Sequence, residues 1–176
     1  LGQGEKIAAV IPVHDYNDEL CVLMATRNGL IKKTKLSEYS NIRKTGIQGI
    51  TLKEDDELID VRITDGNTSI IMVTRQGMSI RFKEEEVRAV GRTSMGVKGI
   101  NLSKDDKVVG MEPIKNDEDY ILAITENGFG KRTEVEEYRE QARAGKGILT
   151  YKTTAKTGHI IGVKIVNDKD DVMLIT

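Results

Sequence analysis

Basic side chains recur at one place in this sequence. Four residues after a turn glycine stand Lys33, Arg81 and Arg132, and directly before two of them stand Lys32 and Lys131. Glycine-bearing stretches further on add Arg43 and Lys44, then Arg92 and Lys98, then Arg143 and Lys146. Cations repeated along stacked units can neutralise a line of phosphates and release its counterions, which needs a local basic surface rather than a basic total. The total is not basic: 27 Lys and Arg against 28 Asp and Glu give a formal charge of −1. In a strand of period 2, Lys33, Arg81 and Arg132 share a face with Ile31, Ser79 and Gly130, so stacking predicts an outward basic row. Small residues in the glycine stretches also let backbone amides approach phosphates. The acids Glu54 to Glu57, Asp105, Asp106, Asp117 to Asp119, Asp168, Asp170 and Asp171 fall elsewhere, in turns between strands. This predicts a basic rim on one side and acidic turns on another, near zero net charge. The plainer reading is that Lys and Arg blunt exposed strand edges.

Other chemistry finds less support. A tyrosine nucleophile would need a nearby arginine and a carboxylate-bound metal. Tyr39 and Tyr138 stand where the middle repeat has Val87, Tyr120 heads an inner strand, Tyr151 ends one and Tyr16 lies in a turn, so no catalytic residue is assigned. The acids at 168–171 have repeat partners that read as hairpin turns. His14 and His159 lack companion ligands at zinc spacing, so no metal site is assigned. The Gly91 to Gly99 stretch lacks the Lys-Ser/Thr ending of a phosphate-binding loop. No cofactor is expected.

The elements that position these residues repeat. Four apolar runs, Cys21 to Thr26, Ser69 to Thr74, Tyr120 to Thr125 and Asp171 to Thr176, end in threonines 48, 51 and 51 residues apart. A second series, at 5–13, 56–64, 106–114 and 158–166, is spaced by 50 to 52. The units run over 5–52, 56–102, 106–151 and, in part, 158–176. Periods near 50 with several short strands mark propeller-like arrays, whose units cannot bury their apolar faces alone. Asn28-Gly29 and Asn127-Gly128 predict type I′ hairpins, with both residues at positive φ. The continuously apolar strand before each turn reads as an inner strand covered on both faces, and Cys21 there as a small hydrophobe. A short acidic segment after each hairpin fits one helical turn, and each glycine stretch enters the next strand through Gly-Ile. No base-reading element is recognisable. Both ends cut into the repeat, as an excised piece of a longer array would, and one cysteine with no export or membrane pattern suggests the cytoplasm.

Val87 to Gly99, Thr125 to Thr133 and Phe82 to Val87 resemble the C-terminal domain of the A subunit of DNA gyrase, and the likeness covers the whole chain. Gln141-Ala-Arg-Ala-Gly-Lys-Gly147 keeps five of seven positions of that family's heptapeptide, Gln-Arg-Arg-Gly-Gly-Lys-Gly. The resemblance implies an all-β, propeller-like β-pinwheel of three to three and a half blades, each a four-stranded antiparallel sheet. It further implies double-stranded DNA as ligand, bending or wrapping without sequence specificity, and partnership with the rest of gyrase A and with gyrase B in a heterotetramer. The parent enzyme of that family uses ATP and Mg, with its cleaving tyrosine in another domain. The C-terminal domain of the topoisomerase IV A protein is the nearest alternative. A propeller-like protein-interaction scaffold is the rival from another class.

Overall fold

The computed structural model describes residues 6–173. Its strands are β1 Cys21–Thr26, β2 Leu30–Lys35, β3 Leu58–Thr64, β4 Ser69–Thr74, β5 Met78–Lys83, β6 Val97–Lys98, β7 Val108–Ile114, β8 Tyr120–Thr125, β9 Gly130–Glu134, β10 Ile148–Leu149 and β11 Ile160–Val166. One-turn helices at Leu36–Tyr39, Glu84–Glu86 and Val135–Glu137 occupy the three acidic segments.

Three antiparallel sheets result, ordered β3-β1-β2-β6, β10-β5-β4-β7 and β11-β8-β9. Each is a hairpin from one repeat, flanked on one edge by the leading strand of the following repeat. In the first two sheets the other edge is a two-residue strand, also from the following repeat. The sheets therefore straddle the sequence units, and each unit is clipped into its neighbour. The same register shift recurs in all three, at Ala25/Thr26, Val73/Thr74 and Ile160/Gly162.

The continuous apolar runs follow from this stacking. On β4, Ile70 and Met72 face Leu23, Ala25 and Ile31 of the first sheet, while Ile71 and Val73 face Ile121, Ala123 and Val163 of the third. A strand between two sheets has no solvent face, so alternation gives way to an unbroken apolar stretch. Cys21 is buried, and burial raises its thiol pKa.

Two local expectations are corrected. The hairpins are not type I′: Gly29, Gly77 and Gly128 are at positive φ, but Asn28 and Asn127 are not. In each, the glycine N–H donates to a threonine carbonyl three residues back, at 3.0 Å from Thr26, Thr74 and Thr125. The same threonine hydroxyl accepts the N–H that follows the glycine, at 3.1 to 3.2 Å. A type I turn closed by one left-handed glycine fits the twist of the strands as well and leaves the Asn28 N–H to bond Asp56 Oδ1 at 2.9 Å. The second correction is that residues 6–13 form no strand. Their counterparts β3, β7 and β11 each pair with the inner strand of the preceding unit, and for 6–13 the sequence holds no such strand. The second half of the apolar run expected at 171–176 falls outside the described residues, and 171–173 form no strand.

Candidate nucleic-acid interface

The outward row of Lys33, Arg81 and Arg132 does not form. Lys33 and Arg81 are each 8% exposed and Lys32 is 1% exposed. Lys33 Nζ donates to Glu84 O at 3.0 Å and lies 3.8 Å from Glu84 Oε1. Arg81 reaches Asp117 at 2.6 Å, and Arg132 reaches Asp168 at 2.8 Å while its guanidinium sits 4.2 Å above the Tyr120 ring. Two of the acids expected on another side, Asp117 and Asp168, are therefore direct partners of Arg81 and Arg132, while Lys33 pairs with Glu84 of the helical turn. The strand face that carries them turns toward the next repeat, and a buried cation persists there only because it is paired and hydrogen-bonded. This removes Lys32, Lys33 and Arg81 from any outward track.

Lys32 Nζ donates to Gly49 O at 2.5 Å and to Arg92 O, and burial lowers its pKa to about 8. Lys131, at the same place two units on, is exposed but donates to Thr150 O at 3.2 Å. These lysines pin the glycine stretches from beneath.

The glycine stretches themselves lie along the sheet edge remote from β3, β7 and β11. Their alignment differs from the one Gly-Ile suggests. Gly99 and Ile100 donate to Gly29 O, and the pair that donates to Gly77 O is Thr150 and Tyr151. Gly147 therefore matches Gly96, and both hold positive φ. A Cβ would stand 2.7 Å from Ile31 O at Gly96 and 2.2 Å from Ser79 O at Gly147, so these positions admit only glycine without movement of the sheet edge.

Exposed cations concentrate here. Arg43 and Lys44, Arg88, Arg92 and Lys98, and Arg139, Arg143 and Lys146 lie in three short stretches whose one acid is Glu140. Arg43, Lys44, Arg88, Lys98, Arg139 and Lys146 are exposed and carry no ion pair or side-chain hydrogen bond to another described residue. Arg92 and Arg143 are half-buried and spend donors on main-chain carbonyls, Gln48 O at 2.9 Å and Lys98 O at 2.5 Å. Arg88 and Arg139 escaped the sequence reading. Their shared place, directly after the Val87 or Tyr138 that follows the helical turn, was the available signal.

Two further repeated features were also missed. Asp56 and Asp106 are buried, each accepting the N–H of a hairpin residue from the preceding unit, Asn28 and Gln76. Along the innermost strands, Glu112 binds Arg62 at 2.8 Å and Lys164 at 3.0 Å, joining β3, β7 and β11. The charges alternate at the repeat spacing, so this ladder was in principle legible.

The sequence matches the family described as "DNA gyrase C-terminal domain, beta-propeller" over residues 22–65, 68–115 and 119–167. The chain belongs to the DNA gyrase C-terminal domain family. Each segment matched to it begins within or just before an inner strand and ends one residue past the innermost strand paired with it, so it holds three strands of one sheet and follows the blade more closely than the sequence unit does. Relatives include the DNA gyrase A protein of Clostridium acetobutylicum, 52% identical over 99% of this chain and 21% of that protein, and that of Haloquadratum walsbyi, 43% identical over the whole chain and 21% of that protein. The chain thus spans about a fifth of the length of the gyrase A proteins it matches. Among solved structures, the C-terminal domain of DNA topoisomerase IV superposes with a TM-score of 0.89 at 34% identity, covering 96% of this chain and 53% of that one. The DNA gyrase A C-terminal domain gives 0.85 at 27% identity, covering 96% and 56%. Among the described residues no helix is long and apolar enough to cross a membrane.

Proposed function

We propose that the chain binds double-stranded DNA along its outer sheet edges and bends it, without reading bases. Within a gyrase A protein, partnered by gyrase B, this action serves ATP-dependent negative supercoiling in the cytoplasm, and no chemistry is done by the chain itself. The observation that carries the reading is the segregation of charge. Residues 43–50, 88–100 and 139–148 hold eight basic side chains and one acid in a chain whose formal charge is −1. Arg43, Lys44, Arg88, Lys98, Arg139 and Lys146 are the phosphate ligands, with Lys131 and Arg132 beside them. Contacts of this kind position a duplex and carry no sequence information, so any preference arises from how easily the DNA bends.

The test is the salt dependence of affinity. With about four to six phosphates engaged, log K falls against log salt with a slope of roughly −4 to −5. Reversing Lys44, Lys98 and Lys146 to Glu makes that slope shallower by about 3 and leaves the fold intact, because these side chains are exposed. A wild-type slope near zero refutes DNA binding and favours the protein-interaction scaffold. The 0.89 TM-score to the topoisomerase IV domain favours a second setting, a topoisomerase IV A protein. Supercoiling by the assembled enzyme separates the two.

A further inference from the structure

At each junction between repeats the glycine stretches are joined along the rim. At the first, Thr51 N donates to Ser94 O at 3.3 Å and Thr51 Oγ1 to Thr93 O at 2.6 Å. At the second, Asn101 N donates to Gly145 O and Ala144 N to Gly99 O, both at 2.8 Å. One arginine spans each junction: Arg92 Nη1 reaches Gln48 O and Arg143 Nη1 reaches Lys98 O. Gln48 and Lys98 hold the same place, directly before Gly49 and Gly99. Arg143 is held further by Glu86, whose carboxylate accepts the Arg143 N–H at 2.8 Å and whose carbonyl accepts Nε at 3.2 Å. The rim is thus a hydrogen-bonded ribbon with a planar guanidinium seated on a main-chain carbonyl at each junction.

We propose that Arg92 and Arg143 are positioning residues that set the curvature of bound DNA by fixing the angle between successive rim segments, and are not phosphate ligands. This rests on the DNA-binding reading above. A surface already shaped to the bent duplex bends it at lower cost, so affinity and curvature separate: exposed lysines supply the first and the ribbon the second. Arginine suits the role because its fork is rigid and its charge permanent, whereas lysine presents a point charge on a flexible stem.

The experiment compares the full chain with two double variants, Arg92→Ala/Arg143→Ala and Arg92→Lys/Arg143→Lys. It measures the salt slope, the bend of an end-labelled duplex by energy transfer, and amide exchange at Thr51 and Asn101. The proposal expects slopes within about half a unit of wild type in both variants, loss of most of the bend in both, and roughly tenfold faster exchange of the two amides. A slope shallower by about 2 in the alanine variant, with the bend kept in the lysine variant, makes these arginines phosphate ligands and overturns the proposal. Unchanged bend or unchanged exchange overturns it too. A wild-type slope near zero removes the DNA reading and this proposal with it, an outcome distinct from the others.

Discussion

Arg81 of one repeat closes on Asp117 of the next. Nη2 lies 2.6 Å from Asp117 Oδ1, and Nη1 donates to the carbonyls of Val135 at 3.2 Å and Tyr138 at 3.4 Å. The guanidinium therefore finishes the helical turn Val135–Glu137 of its neighbour. Lys33 does the same one repeat earlier by donating to Glu84 O. A spacing that reads as an outward row is an inter-repeat clamp.

Replacing Arg81 by Met strands buried carbonyls and leaves Asp117 unpaired. We expect a loss of about 3 kcal/mol in urea unfolding. Asp117→Asn costs less than about 1 kcal/mol, since that side chain is 61% exposed. The DNA salt slope of both variants stays at the wild-type value. A shallower slope in Arg81→Met would return the residue to the phosphate-binding set.

Lys32 gives stability a pH dependence. Burial lowers its pKa from 10.5 to about 8, so between these values the unfolded chain holds a proton the folded chain has released. Stability linked to this group therefore rises as pH climbs from about 8 toward 10.5, and its full cost is present below about 8. In Lys32→Met that gain is absent, so wild-type stability minus variant stability rises over the window. Denaturant melts at pH 7.5, 9 and 10 check the sign. A wild-type-minus-variant difference that falls contradicts it.

Glu112 is 7% exposed and bridges Arg62 and Lys164 across the innermost strands of successive sheets. Glu112→Ala leaves Arg62 to Asp60 alone in a half-buried setting and should cost about 2 kcal/mol. Lys164→Ala, whose side chain is 63% exposed, should cost less than about 1 kcal/mol. Comparing the two by thermal melts tests whether the inner ladder is structural.

Gly77 and Gly66 both sit near φ +90°, but only one is crowded. A Cβ on Gly77 would fall 1.8 Å from Tyr151 O, and nothing lies within 4 Å at Gly66. Gly66→Ala should cost about 1 kcal/mol, from backbone strain alone. Gly77→Ala must also push the outer edge away, so we expect a cost above about 2 kcal/mol and faster amide exchange at Thr150. Equal costs at the two sites would mean that the outer edge yields freely.

By itself the sequence determined the period, the inner strands, the helical turns and the family, because these depend on which side chains recur and where glycine must bend the chain. It also placed basic residues on the glycine stretches. It did not decide which cations face outward. Lys33 and Lys98 are both lysines at repeat positions, yet one is buried on Glu84 and the other exposed on an outer edge. That difference arises because each sheet borrows strands from the following repeat, so the surroundings of a strand face are set by residues about 50 positions away. Only the tertiary structure could turn Lys33 and Arg81 of the expected basic row inward and leave the rim to Arg43, Lys44, Arg88, Lys98, Arg139 and Lys146. Burial and pairing are properties of neighbours, and a repeat spacing alone does not reveal which neighbours the fold supplies.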